Sequence, residues 1–116
     1  IWFLGSGNPL GVDDMARLVH ELGALDRTRL AEHFMQLDAE DRRLRFGFAM
    51  SDECLRDYVN GIDFARDHVF GIFGPAFTLI AVAHMGRMGD TAELGLSVLA
   101  PWRRDGLARR LVTRAR

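Results

Sequence analysis

Apolar positions follow two different periods along the chain, and the change between them near residue 67 predicts its organisation. Before that point the spacing is mostly helical. Asp26 stands where a helix cap is expected, ahead of Leu30, Phe34 and Leu37 at i, i+4 and i+7. Ser51-Asp52-Glu53 opens a second helix with Leu55, Tyr58, Val59 and Ile62 on one side, stopping near Asn60-Gly61. Upstream, residues 16–22 fit a short strand through Leu18, His20 and Leu22, and also fit a helix from Asp13; the strand is the reading taken. After Asp67 the pattern turns to β. Residues 68–73 and 77–85, separated by Gly74-Pro75, predict an antiparallel hairpin. Gly86 to Asp90 turns the chain again into a strand at 92–99. From Asp105 onward Leu107, Leu111, Val112 and Ala115 make the apolar stripe of a last helix, with no stop signal and nothing after it to cover the far side of the sheet. The predicted order is β-α-α-β-β-β-α, an α/β (α+β) domain over residues 15–116. An irregular lead-in rich in Gly, Asn, Pro and Asp precedes it at residues 1–14.

Composition narrows the class without naming a chemistry. At 116 residues, 48% hydrophobic and 27% charged, the chain predicts one soluble globular domain. No apolar run approaches the ~20 residues of a membrane span, and Ile1-Trp2-Phe3-Leu4 is too short and lacks the basic flank of a signal peptide, so a cytoplasmic location is expected. The one cysteine, Cys54, excludes an intrachain disulfide; it reads as a small buried or half-buried helix residue rather than a nucleophile. His20, His33, His68 and His84 lack ligand spacing, so no metal is expected. Gly5-Ser-Gly7-Asn-Pro-Leu-Gly11 mimics a dinucleotide fingerprint, but four residues make a poor strand and Pro9 sits inside.

Charge distribution is more informative. Every basic residue is arginine; residues 1–86 hold eight arginines and thirteen acids, net −5, and residues 87–116 seven arginines and three acids, net +4. Positive charge therefore gathers around Arg103-Arg104-Asp105-Gly106-Leu107-Ala108, between a strand and a helix. A glycine turn that opens a helix presents backbone N–H groups and a positive dipole end, which suits an anionic phosphate.

That segment, Arg103-x-x-Gly106-x-Ala108 after Glu93-Leu-Gly-Leu-Ser-Val98, resembles the GNAT superfamily of N-acetyltransferases. The upstream hairpin and Asp41-Arg-Arg-Leu-Arg-Phe-Gly47 with Ser51-Asp52-Glu53 extend the resemblance over about residues 18–116. It implies a mixed, mainly antiparallel sheet flanked by helices, and acetyl-CoA as co-substrate with an amine acceptor. It also implies pyrophosphate binding by the turn, through N–H groups of Arg104, Asp105, Gly106, Leu107, Ala108 and Arg109 and the side chains of Arg103 and Arg104. Leu96, Ser97 and Val98 would lend strand backbone to the acetyl and pantetheine arm. Glu93 would be the general base, on one face of its strand with Gly95, Ser97 and Leu99. His84 would face the acceptor pocket or sit at a strand end. The family's usual general acid, a tyrosine after the next strand, has no counterpart before Arg116, so a domain lacking its C-terminal strands is expected; Tyr58 reads as packing. The sheet edge left there suggests a second copy of the chain as partner, a homodimer. Two other classes remain: a catalytically incomplete CoA-binding regulatory module, and a nucleic-acid-binding domain using Arg42, Arg43, Arg45 and the terminal arginines. Against nucleic acid stand the net charge of −1 and the neighbouring Glu40 and Asp41.

Overall fold

The computed structural model describes residues 18–88 and 90–115; the expected lead-in and the glycine-rich stretch at residues 5–11 lie outside them. A four-stranded, wholly antiparallel sheet runs β1 (Val19–Glu21), β2 (His68–Phe73), β3 (Leu79–Met88) and β4 (Thr91–Val98), in that spatial order. Between β1 and β2 lie three helices, α1 (Arg27–Met35), α2 (Ala39–Phe46) and α3 (Asp52–Asn60); α4 (Leu107–Ala115) follows β4. The expected class stands, but the order gains one helix. Asp38 causes the break: its carboxylate accepts the Asp41 N–H at 2.8 Å, capping a new helix where the apolar pattern itself continues through Leu37. Gly47, at φ 92°, closes α2 in the left-handed region. Asp26 precedes α1 as expected, but its carboxylate accepts the Gly23 N–H at 2.9 Å instead of a helix N–H.

Register decides which side chains share a face. Val69 pairs with His84, Val82 with Ser97, His84 with Gly95 and Gly86 with Glu93, so these residues look toward one side. Val69, Leu79 and Val82 pack there against Leu30, Phe34, Leu55 and Val59 from α1 and α3. On the other side Phe70, Ile72, Ala81 and Ala83 pack on Leu107 and Leu111. The register slips between Ile72 and Phe73, which is how Leu79 and Val82 reach one face and Ala81 and Ala83 the other. Both faces are thus covered. The sequence expectation of a bare far side fails because α4 folds back on the sheet opposite the three earlier helices.

Half-buried arginines hold the helical layer together. Arg42 donates to the carbonyls of Leu37 (2.9 Å), Met35 (2.9 Å) and Met50 (2.8 Å) and pairs with Asp52 at 2.9 Å. Arg27 donates to Val59 O at 2.6 Å and Ile62 O at 3.0 Å, satisfying carbonyls at the end of α3. Cys54 is exposed, not buried: Leu55 and Val59 take the inward stripe of α3, and one residue on a helix is a turn of about 100°. Among the described residues no helix is long and apolar enough to cross a membrane.

Candidate active site

Two depressions adjoin along β4, on the face it shares with the three-helix layer. The larger, about 620 Å³, is lined by Arg45, Phe46, Tyr58, Arg66, Asp67, His84, Gly86, Arg87, Glu93, Leu94 and Gly95. The smaller, about 250 Å³, is lined by Leu37, Asp41, Leu44, Arg45, Leu96, Ser97, Val98 and Arg103. Arg45 belongs to both and forms the divide.

A hydrogen-bonded chain crosses the larger cavity. Asp67, only 6% exposed, accepts from His84 Nε2 at 2.9 Å and from Arg66 Nε at 3.1 Å. A carboxylate only accepts, so His84 Nε2 carries a proton toward Asp67; in the neutral tautomer this leaves Nδ1 to accept from the Tyr58 hydroxyl. Arg45 Nη2 donates to the same hydroxyl at 3.2 Å. Burial pushes the Asp67 carboxyl up, but the hydrogen bonds from His84 and Arg66 outweigh it and hold the group below its ordinary range. Burial also raises the Tyr58 phenol, with the Arg45 charge partly opposing it. Tyr58 therefore stays protonated at neutral pH, in the form that can give a proton. Glu93 is exposed among the residues lining this cavity, directly opposite Gly86 across the strand pair.

The smaller depression follows the second half of β4. Ser97, 8% exposed, hydrogen-bonds His33 Nε2 at 2.7 Å, and His33 Nδ1 lies 2.8 Å from Leu79 O. The carbonyl fixes the tautomer: Nδ1–H donates, and Nε2 accepts the Ser97 proton. Burial lowers the His33 pKa from 6.5 to about 4, so its ring is too weak a base to activate Ser97 as a nucleophile at neutral pH. Arg103 Nε donates to Val98 O at 2.8 Å, and its guanidinium meets Asp41 at 3.0 Å. The residue read as a phosphate contact thus also ties the turn to α2.

Beyond Arg103 the backbone takes left-handed conformations at Arg104 (φ 72°) and Gly106 (φ 76°). Only the glycine adopts that region without strain, and no atom lies within 4 Å of where its Cβ would stand. Leu107 buries its side chain against the sheet, while Arg104, Asp105, Gly106, Ala108 and Arg109 remain exposed. The first helical bond is donated by Arg110 to Gly106 O at 3.2 Å, and first-turn N–H groups ahead of it have no intrahelical acceptor. The structure thus brings Leu96, Ser97, Val98 and Arg103 to one groove, sets the exposed turn after it, and places Glu93 at the separate, larger cavity.

Sequence reasoning missed the centre of that cavity. His84 lines it. Tyr58 packs as expected, edge-on to Phe34 and Phe46 at 5.9 and 5.1 Å between centroids, yet turns its hydroxyl to the cavity. Asp67 had no signal at all. Of the arginines in the nucleic-acid reading, the three on α2 form no outward patch: Arg42 is held by carbonyls, Arg43 pairs with Glu40 at 2.6 Å, and Arg45 lies 4.5 Å from the centre of the Phe46 ring. Among the described residues no three His, Cys, Asp or Glu side chains gather as a metal site.

Neither a family model nor a curated protein matches this sequence. Solved structures do match the fold. The chain is similar to an acetyltransferase of the GNAT family from Staphylococcus aureus Mu50, with TM-score 0.62 and 11% identity over 83% of this chain and 61% of that one. It is similar to the GNAT domain of S. lividans PAT, with TM-score 0.65 and 20% identity over 82% of this chain and 60% of that one. The tetramutant of the BH1408 protein from Bacillus halodurans gives TM-score 0.54 and 14% identity over 84% and 72%. The chain has the GNAT fold, and it spans 61% and 60% of the length of the first two of these structures.

Proposed function

We propose that this chain binds acetyl-CoA and transfers its acetyl group directly to an amine. The observation that carries the reading is the continuity along β4: a left-handed, arginine-rich turn, a groove, and a cavity with Tyr58, His84 and Glu93, in that order. The residues fit the group. Gly106 leaves open space and first-turn N–H donors for a pyrophosphate, with Arg104 and Arg109 exposed beside it. Among the described residues β4 pairs only with β3, so its other edge along Leu96, Ser97 and Val98 faces an amide-bearing arm, with Val98 O already accepting from Arg103 Nε. Bound there, acetyl-CoA supplies a thioester carbonyl as electrophile. Glu93 accepts the proton of the incoming ammonium through water, and Tyr58 Oη holds the proton that the leaving sulfur needs. Direct transfer is favoured because neither candidate nucleophile serves: Cys54 lines neither depression, and Ser97 faces a base of pKa about 4.

Calorimetric titration of CoA tests the first half. Binding that disappears in Gly106→Leu is expected, and no binding to the intact chain overturns the proposal. Turnover of an amine panel tests the second half, with Glu93→Gln expected to lose about 100-fold or more in kcat. The second reading, a CoA-binding regulatory module without turnover, is favoured by the Tyr58 hydroxyl's being already engaged by His84 and Arg45. Normal CoA binding with no turnover of any amine selects it.

A further inference from the structure

Resting on the acetyl-transfer reading, a charge inventory of the larger cavity identifies the acceptor's class. Three arginines and two carboxylates line it. Arg66 and Asp67 neutralise one another at 3.1 Å. Arg87 is paired with Ala92 and so alternates to the other face of the sheet from Glu93, which leaves Arg45 and Glu93 as the charges of the cavity's own face; among the described residues Arg45 has no carboxylate partner.

Arg45 is the unusual one. Its Nε is buried with no hydrogen-bond partner, the only such side-chain atom among the described residues. Its guanidinium lies near the rings of Phe46, Phe34 and Tyr58, with centroids at 4.5, 5.8 and 6.0 Å, and is thereby shielded from water. It rests flat on β4 at Gly95, where any Cβ would come within 2.2 Å of Cζ. A partly desolvated cation without a counterion is unfavourable, and an anion brought to it is held strongly. The planar fork suits a carboxylate, which takes two parallel N–H bonds. Glu93 stands two residues along the same face of the same strand, about 7 Å away in Cα terms. A cation seat at Gly95 and an anion seat two residues along the same face therefore share one cavity, as the two ends of a small zwitterion require.

We propose that the cavity accepts an amino acid: its carboxylate on Arg45, its ammonium toward Glu93. The amine is thereby presented beside the junction of cavity and groove, where the two depressions share Arg45.

The test uses matched pairs, the twenty standard L-amino acids and their carboxamides, titrated calorimetrically into the full chain with and without saturating CoA. At least one free acid is expected to bind 10-fold or more tightly than its amide. Arg45→Met should bring the acid down to the amide's level, and Arg45→Lys should restore part of the difference. Gly95→Ala, which keeps the charge but evicts the guanidinium from its seat, should act like Arg45→Met. Equal binding of acid and amide overturns the proposal, and so does no binding of either. The wild-type comparison decides the matter even if the variants do not fold. CoA binding in the same samples reads the acetyl-transfer proposal separately: CoA bound without acid preference removes only the acceptor class, and no CoA binding removes the reading beneath it.

Discussion

Lowering the pH from 7 to 4 should loosen the joint that holds β4 to the helical layer. His33 on α1 is fully buried, donates to Leu79 O on β3 and accepts from Ser97 on β4. In the unfolded chain its imidazole takes up a proton near pH 6.5, and in the folded protein only near 4. Between those values the unfolded state binds the extra proton, so stability falls as pH falls; above pH 6.5 the contribution is complete, and below about 4 it is gone. Each pH unit in that window is worth about 1.4 kcal/mol, so the loss is about 3 kcal/mol, a large share of a small domain's stability. The assay is the urea midpoint at pH 7, 6, 5 and 4 for wild type and His33→Gln. The variant should start weaker but lose about 3 kcal/mol less across the window. Asp67 does not obscure this, since its carboxyl is held below its ordinary value of 3.8 and its contribution disappears only under further acidification. Parallel curves for the two proteins would refute the reasoning. If the variant does not fold, NMR titration of the wild-type His33 ring gives the same answer, and a midpoint near 6.5 sinks it.

Three further outcomes follow from the geometry. Tyr58→Phe removes the hydroxyl that donates to His84 and accepts from Arg45, and should cost about 1–3 kcal/mol in the denaturant midpoint. In the acetyl-transfer assay it should also lower kcat by about 100-fold, and it should remove any alkaline limb of the wild-type profile above pH 10, where the raised Tyr58 pKa falls. Arg42→Met leaves three backbone carbonyls and Asp52 without their donor, and thermal unfolding should show a loss of about 3 kcal/mol, far more than Arg43→Met at its exposed pair. Gly71→Ala would set a Cβ 2.7 Å from Leu79 Cδ2 and 2.9 Å from Leu22 Cδ1, overpacking the core by about 1–3 kcal/mol on urea unfolding.

The sheet was legible because strands announce themselves locally. Alternation and the Gly74-Pro75 turn place β2 correctly, and β4 within one residue, since each side chain's face depends only on its neighbours. The turn after β4 was legible for the same reason: Gly106 is needed where φ is positive, and Leu107 begins the helical stripe. The third helix was not, because its start is marked by the Asp38 side chain alone while the apolar spacing runs on through Leu37. The cavity was illegible for a deeper reason. Arg45, Tyr58, Asp67 and His84 come from α2, α3, the approach to β2 and β3, and no spacing relates them. They meet because register sets His84 opposite Val69 and Gly95, and because helix docking carries Tyr58 and Arg45 over that pair. Arg45 misled most, since a cation in an Arg-rich helix reads as solvated until the aromatic rings around it are known.

Asp41 and Arg45 stand four residues apart on α2, one helical turn. Asp41 grips Arg103 of the turn, and Arg45 forms the wall of the cavity. A single short helix therefore touches both the turn and the cavity. Whatever a ligand at the turn does to the affinity at the cavity, a ligand at the cavity must do to the turn by the same factor, because binding free energies are reciprocal. The Arg103–Asp41 pair is the contact through which the proposed sites would exchange that factor: a ligand that drew Arg103 away would free Asp41, one turn from the Arg45 guanidinium.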